Sequence, residues 1–160
     1  MQILVLYHSK TKNTLKLAEA IAGGVKEVSG VEAVLRSTEE VTKEDFVNSA
    51  GVIAGSPVYF GCMAAELKSV FDRFVGVRKK MENKVGAAFT TSGDVSGGKE
   101  TTMISILQVM LIYGMIIVGD PMDATGHYGV SCVGKPDSPA LTNGAKLGAR
   151  VAELAQRLAK

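Results

Sequence analysis

Short apolar runs alternate along this chain with longer stretches in which apolar residues recur every three or four positions. A strand buried on both faces is apolar throughout, whereas a helix lying on a sheet is apolar on one side only. The pattern therefore predicts the α/β class, a parallel sheet wrapped by helices. The first strand is expected over Gln2–Tyr7, running straight into the polar loop His8 to Asn13. A helix should start near Thr14, with Ala18, Ile21, Ala22, Val25 and Val28 on its buried face. Gly23 and Gly24 interrupt it at about 1 kcal/mol of propensity each, and close packing against a neighbour is the expected reason. Val31, Ala33 and Leu35 alternate with polar residues, as an outer strand does, and a short helix over Lys43–Asn48 leads into the buried strand Gly51–Ser56, which Pro57 stops.

After the loop Val58 to Met63, a helix through Ala65, Leu67, Val70, Phe71 and Phe74 precedes a fourth strand, Lys84–Thr91, and a glycine-rich loop, Ser92 to Gly98. Met103, Ile106, Leu107, Met110 and Leu111 share one face of the next helix. Met115–Val118 is the expected fifth strand, and Leu147, Val151, Leu154, Ala155 and Leu158 mark the last helix. With no linker and no internal repeat, one domain over residues 1–160 is expected.

Composition narrows the function classes. At 46% hydrophobic and 21% charged residues, 160 residues suffice for one core without metal or disulfide support. A net charge of +2 with scattered basic residues argues against a nucleic-acid footprint. The richest apolar stretch, Met103 to Val118, is broken by Ser105, Gln108 and Gly114 and falls short of a membrane span, so no membrane partner is expected. Cys62 and Cys132 lack C-x-x-C spacing and the chain opens without a signal-peptide pattern, which predicts a reduced, cytoplasmic protein. His8 and His127 come without a metal-ligand or triad pattern, leaving no catalytic residue to name.

Ligands of open parallel sheets bind outside the carboxyl ends of the strands where strand order reverses. Three unusual loops follow the first, third and fourth strands, whose ends are neighbours in a sheet of order 2-1-3-4-5. His8-Ser9-Lys10-Thr11-Lys12-Asn13-Thr14 gathers hydroxyls and an amide where a helix begins, so backbone N–H groups and the helix dipole face one point, as a phosphate requires. Neither G-x-x-x-x-G-K-[ST] nor G-x-G-x-x-G is present. A plain helix cap by Asn13 or Thr14 explains the same residues equally well. Pro57-Val58-Tyr59-Phe60-Gly61 brings two aromatic rings to a strand end, either to wall a flat ligand or to cover the core edge. Thr91-Ser92-Gly93-Asp94, with Gly97 and Gly98, lets backbone approach a ligand closely, or is a flexible surface loop.

Taken together, these loops carry a resemblance. Ser9-x-Thr11-x-Asn13-Thr14 resembles the flavodoxin phosphate loop T/S-x-T/S-G-N-T. Gly55-Ser-Pro-Val-Tyr-Phe-Gly61 and Thr91-Ser-Gly93 followed by Gly97-Gly98-Lys-Glu100 resemble the flavin loops of the tryptophan-repressor-binding-protein branch, the NAD(P)H:quinone oxidoreductases that use FMN. His127-Tyr128-Gly129 is similar to a segment this branch carries near the flavin pocket after the fifth strand. The resemblance spans the chain and implies a flavodoxin-like doubly wound sheet of five parallel strands, order 2-1-3-4-5, with helices on both faces and one non-covalent FMN. It places Ser9, Lys10, Thr11, Lys12, Asn13 and Thr14 at the phosphate. Pro57, Val58, Tyr59, Phe60 and Gly61 would line one side of the ring, and Thr91, Ser92, Gly93, Asp94, Gly97 and Gly98 the other.

The implied function is electron transfer through the flavin, as a carrier working with a redox partner protein. The alternative is a two-electron NAD(P)H:quinone oxidoreductase acting on a small quinone. The chain departs from the pattern at four points. Thr11 stands where the quinone reductases carry an aromatic residue linked to nicotinamide binding. Lys12 replaces a Gly, so either the turn differs or Lys12 adds charge beside the phosphate. No Trp is present where the reductases carry a substrate-stacking insertion. Tyr113 stands where that branch has a flavin-proximal His, or is simply the end of a core helix. Gly61 and Gly93 are candidates for peptides that turn toward the flavin N5, and Asp94 for a charge near the ring. A homo-oligomer is left open.

Overall fold

The computed structural model describes residues 1–159. The strands β1 (Gln2–Tyr7), β2 (Glu32–Ser37), β3 (Ser49–Pro57) and β4 (Val85–Ser92) are joined by α1 (Asn13–Lys26), α2 (Lys43–Asn48) and α3 (Ala65–Arg73). A 3-10 segment, Val75–Met81, links α3 to β4. α4 (Lys99–Ile112), β5 (Ile116–Ile117), β6 (Gly129–Val133) and α5 (Ser138–Leu158) complete the chain. The sheet runs β2-β1-β3-β4-β5, with every strand pair parallel.

Alternation along β1 separates two apolar layers. Ile3 and Val5 pack with Leu17, Ile21, Leu147 and Val151 of α1 and α5. Leu4 and Leu6 turn to the opposite face, where Phe46, Leu67, Phe71, Met103 and Ile106 bring α2, α3 and α4 onto the sheet. Such two-sided burial is why β1, β3 and β4 read as unbroken apolar runs. Of the two helix-interrupting glycines, Gly24 meets α5 so closely that a β-carbon there would overlap the carbonyl of Ala145, whereas Gly23 faces open space. Gly148 makes the reciprocal approach to the Ile21 carbonyl. Close packing thus accounts for one member of the pair.

The fifth strand departs from the expected Met115–Val118. Only Ile116 and Ile117 pair there, with Val85 and Gly86, and β6 resumes on the same edge of β4 by pairing Gly129 with Ala88 through to Val133 with Ser92. β5 and β6 are therefore one strand line split by an inserted loop, residues 118–128. Asp120 closes that loop. Its carboxylate accepts the N–H and hydroxyl of Thr125, the Gly126 N–H at 3.1 Å and the His127 N–H at 2.8 Å. Burial pushes this acid up, but those hydrogen bonds outweigh it and hold the carboxyl below its ordinary 3.8. A depressed folded value means the stabilisation is complete above the unfolded value and is lost as pH falls through the folded one. Asp120→Asn should accordingly cost about 2 kcal/mol at pH 7 and visibly less at pH 3, as urea melts at the two pH values would report.

Among the described residues no helix is long and apolar enough to cross a membrane.

Candidate functional site

Sheet order brings the carboxyl ends of β1, β3 and β4 side by side, and hydrogen bonds tie the loops that leave them. The His8 N–H donates to Gly55 O at 3.0 Å and the Val58 N–H to Thr91 O at 2.8 Å. The Thr14 and Thr91 hydroxyls bond at 2.8 Å, both buried, and Thr90 Oγ1 donates to Ser56 O at 2.6 Å. All three predicted loops thus meet at one end of the sheet, tied to one another by hydrogen bonds.

In the first loop the capping reading fails. Neither Asn13 nor Thr14 caps α1; the Thr14 hydroxyl is engaged by Thr91, and Ser9 Oγ accepts the Leu15 N–H at 3.3 Å. The N–H groups of Thr11, Lys12, Asn13 and Thr14 have no acceptor within the described residues. Unmet donors at the positive end of a 14-residue helix form a cradle for an anion. Lys12 takes the left-handed conformation, φ 65°, a region that glycine adopts more readily than any other residue. A side chain there costs about 1–2 kcal/mol, so Lys12→Gly should raise the stability of the ligand-free protein by up to about 1 kcal/mol, read from its melting temperature.

The second loop is a tight turn. Tyr59 and Cys62 exchange both backbone hydrogen bonds, and Phe60 and Gly61 between them have φ of 52° and 75°. Positive φ at both central residues is the type I′ pattern, which Gly favours and Phe does not. The Phe60 side chain projects wholly into solvent, while Lys10 Nζ lies 5.5 Å from the centroid of the Tyr59 ring. In the third loop Asp94 is spent on local order, its Oδ1 accepting the Ser96 N–H at 3.1 Å. Ser92 Oγ in turn donates to Asp94 O at 2.7 Å. Gly98 has φ 95°, and a β-carbon there would lie 2.8 Å from Gly61 Cα, so the second and third loops touch through two glycines. Gly93 has neither a positive φ nor a close neighbour, which leaves Gly61 as the better placed of the two for a peptide that turns toward a ligand.

Other residues fall elsewhere. Tyr113 lies at the far end of α4, 4% exposed among Phe46 and Phe71, with its hydroxyl donating to Phe71 O. Burial foremost pushes it up to about 12. It is a core residue and not a flavin neighbour, because α4 carries the chain from the ligand end of the sheet to the opposite end. His127 and Tyr128 lead into β6 at the level of Ala88, in mid-sheet. Cys132, paired with Thr91, has a thiol that burial and then Asp137 push up to about 11, so it stays protonated at neutral pH.

His8 entered the sequence reading without a role, and Lys135 did not enter it at all. His8, 5% exposed, bonds Thr38 Oγ1 at 3.2 Å through Nδ1, while its buried Nε2 has no hydrogen-bond partner and lies 3.7 Å from Glu66. Lys135, just after β6, lines a groove of about 600 Å³ beside the first loop together with Lys12, Lys16 and Glu19.

The donor set, glycine contacts and exposed aromatic are what a phosphate-bearing, flat-ringed cofactor requires. Residues 1–128 match the family model described as NADPH-dependent FMN reductase. An NAD(P)H dehydrogenase (quinone) of Archaeoglobus fulgidus is 35% identical over 98% of each chain. A flavodoxin of Aquifex aeolicus is 34% identical over 95% of this chain and 85% of its own. The crystal structure of a flavodoxin, WrbA-like protein from Agrobacterium tumefaciens superposes with a TM-score of 0.84 at 23% identity over 98% of both chains. The chain belongs to the NADPH-dependent FMN reductase family, among the flavodoxin-like flavoproteins, and its cofactor is FMN.

Proposed function

We propose that residues 1–160 act as one FMN domain that carries electrons between redox partners, with the flavin phosphate in the first loop and the ring between the second and third. The observation that carries the assignment is the uncapped, donor-rich start of α1, cross-bonded to two glycine-containing loops that contact each other. Bound FMN supplies the redox chemistry, and the protein supplies position and electrostatics. The free N–H groups of Thr11 to Thr14, with the Thr11 hydroxyl and Asn13 amide, would bind the phosphate. Ser9 holds the helix start in register, and the Thr14–Thr91 bond fixes the phosphate loop against the ring loops. Tyr59, Phe60 and Val58 would flank the ring on one side and Ser92 to Gly98 on the other.

A carrier reading is favoured by an apolar rim: Phe60 and Val95 stand at the tips of the two ring loops. Such a rim suits transient contact with a partner's surface around a cofactor edge. The same loops would serve a quinone reductase if nicotinamide reached the ring, and one titration separates the two. Under anaerobic conditions, NADH and then NADPH should leave the flavin band near about 450 nm unchanged, while dithionite bleaches it. Rapid bleaching by either nucleotide would make the chain a nicotinamide-driven reductase instead.

A further inference from the structure

We propose that Lys135, outside all three flavin loops, is a phosphate-binding residue of the FMN site. Its ammonium completes a cationic wall with Lys12 and Lys16. The inference rests on the FMN reading above.

Lys135 stands on a built turn. Gly134, with φ 64°, donates its N–H to Ser92 O at 2.7 Å, tying the turn to the third loop. Pro136 is buried, and Asp137 caps α5 by accepting the Ala140 N–H at 2.9 Å. Both α1 and α5 begin at this end of the sheet and pack against each other, so the turn before α5 lies beside the start of α1. Lys135, Lys12 and Lys16 line one groove together with Thr11 and Asn13, whose polar side chains make no hydrogen bond within the described residues. Glu19 is the single acid in that lining, and it makes no ion pair with any of the three lysines.

Three ammonium groups around one groove repel one another, and Glu19 is the one acid in the lining set against them. The arrangement raises the energy of the empty site. A phosphate dianion in the cradle reverses the sign, because each lysine then faces a doubly charged neighbour and the amide donors already point at it. Lys135 is therefore expected to oppose stability without FMN and to support it with FMN, an inversion that a lysine engaged only in surface solvation would not show.

The test compares wild type, Lys135→Gln and Lys80→Gln, the last an exposed lysine of the 3-10 segment, far from the groove. Each apoprotein is titrated with FMN and with riboflavin by flavin fluorescence at low and high salt, and its melting temperature is recorded with and without FMN. Lys135→Gln should weaken FMN about tenfold, as expected for loss of one charge-assisted contact, and leave riboflavin binding unchanged. It should flatten the salt dependence of FMN affinity. It should also melt no lower than wild type as apoprotein yet lower when FMN is bound, while Lys80→Gln matches wild type throughout. Equal loss of FMN and riboflavin, or no loss of either, overturns the role of Lys135. If wild type itself takes up no FMN, the cofactor assignment fails first, which is a distinguishable result.

Discussion

Gly24→Ala should destabilise the protein by about 3 kcal/mol or more, and Gly23→Ala, one residue earlier, should stabilise it by up to about 1 kcal/mol. Intrinsic propensity treats the two alike, since Ala is the better helix former at either position. Packing does not. A β-carbon on Gly24 would sit inside the backbone of Ala145, and backbone cannot move aside as a side chain can. Gly23 is exposed and meets nothing, so Ala there only restricts the unfolded chain. The α1–α5 contact also sets how the starts of both helices lie relative to each other, and so the cradle and the Lys135 turn. Urea denaturation of the apoprotein measures both effects. Equal changes in the two variants would show that the helices are not in backbone contact.

Gly98→Ala should lower FMN affinity by well over tenfold while costing about 2 kcal/mol of stability. Gly98 has φ 95°, where a side chain is strained, and its β-carbon would lie 2.8 Å from Gly61 Cα and 3.0 Å from the Thr101 hydroxyl. The second and third loops would have to part by a fraction of an ångström, opening the slot assigned to the ring. Riboflavin, which lacks the phosphate, should lose affinity by a similar factor, because the damage is to the ring clamp. That pattern is the opposite of the one expected for Lys135→Gln. Titration of both variants with both flavins separates the two halves of the site, and retention of full affinity by Gly98→Ala would remove the glycine contact from the account.

Much of this was legible in the residues. β1, β3 and β4 announced themselves because burial on both faces demands uninterrupted apolar side chains, and each is followed at once by its informative loop. The loops were recognisable because hydroxyl, glycine and aromatic residues cluster where an ordinary strand end needs none of them. β6 was missed because its strand line is broken: Asp120 folds an insertion between Ile117 and Gly129, and Gly129–Val133 alone shows no more than a weak alternation. Tyr113 looked like a flavin neighbour by position in the family pattern, yet the direction of α4 carries it to the other end of the sheet. Lys135 carried no local signal at all. Only the packing of α5 alongside α1, both starting from the same end of the sheet, brings it to Lys12, and no spacing rule reaches across that much chain. The conformation of Lys12 was likewise invisible, since nothing in its type foretells a positive φ.

The central claim, that the three loops hold a single FMN without a covalent bond, is tested most directly by titrating the apoprotein with FMN and following the quenching of flavin fluorescence. The account expects saturation at one equivalent, release of unmodified FMN on denaturation, and weaker binding of riboflavin. Flavin fluorescence that stays unquenched through excess FMN, in a protein that melts cooperatively, would contradict it.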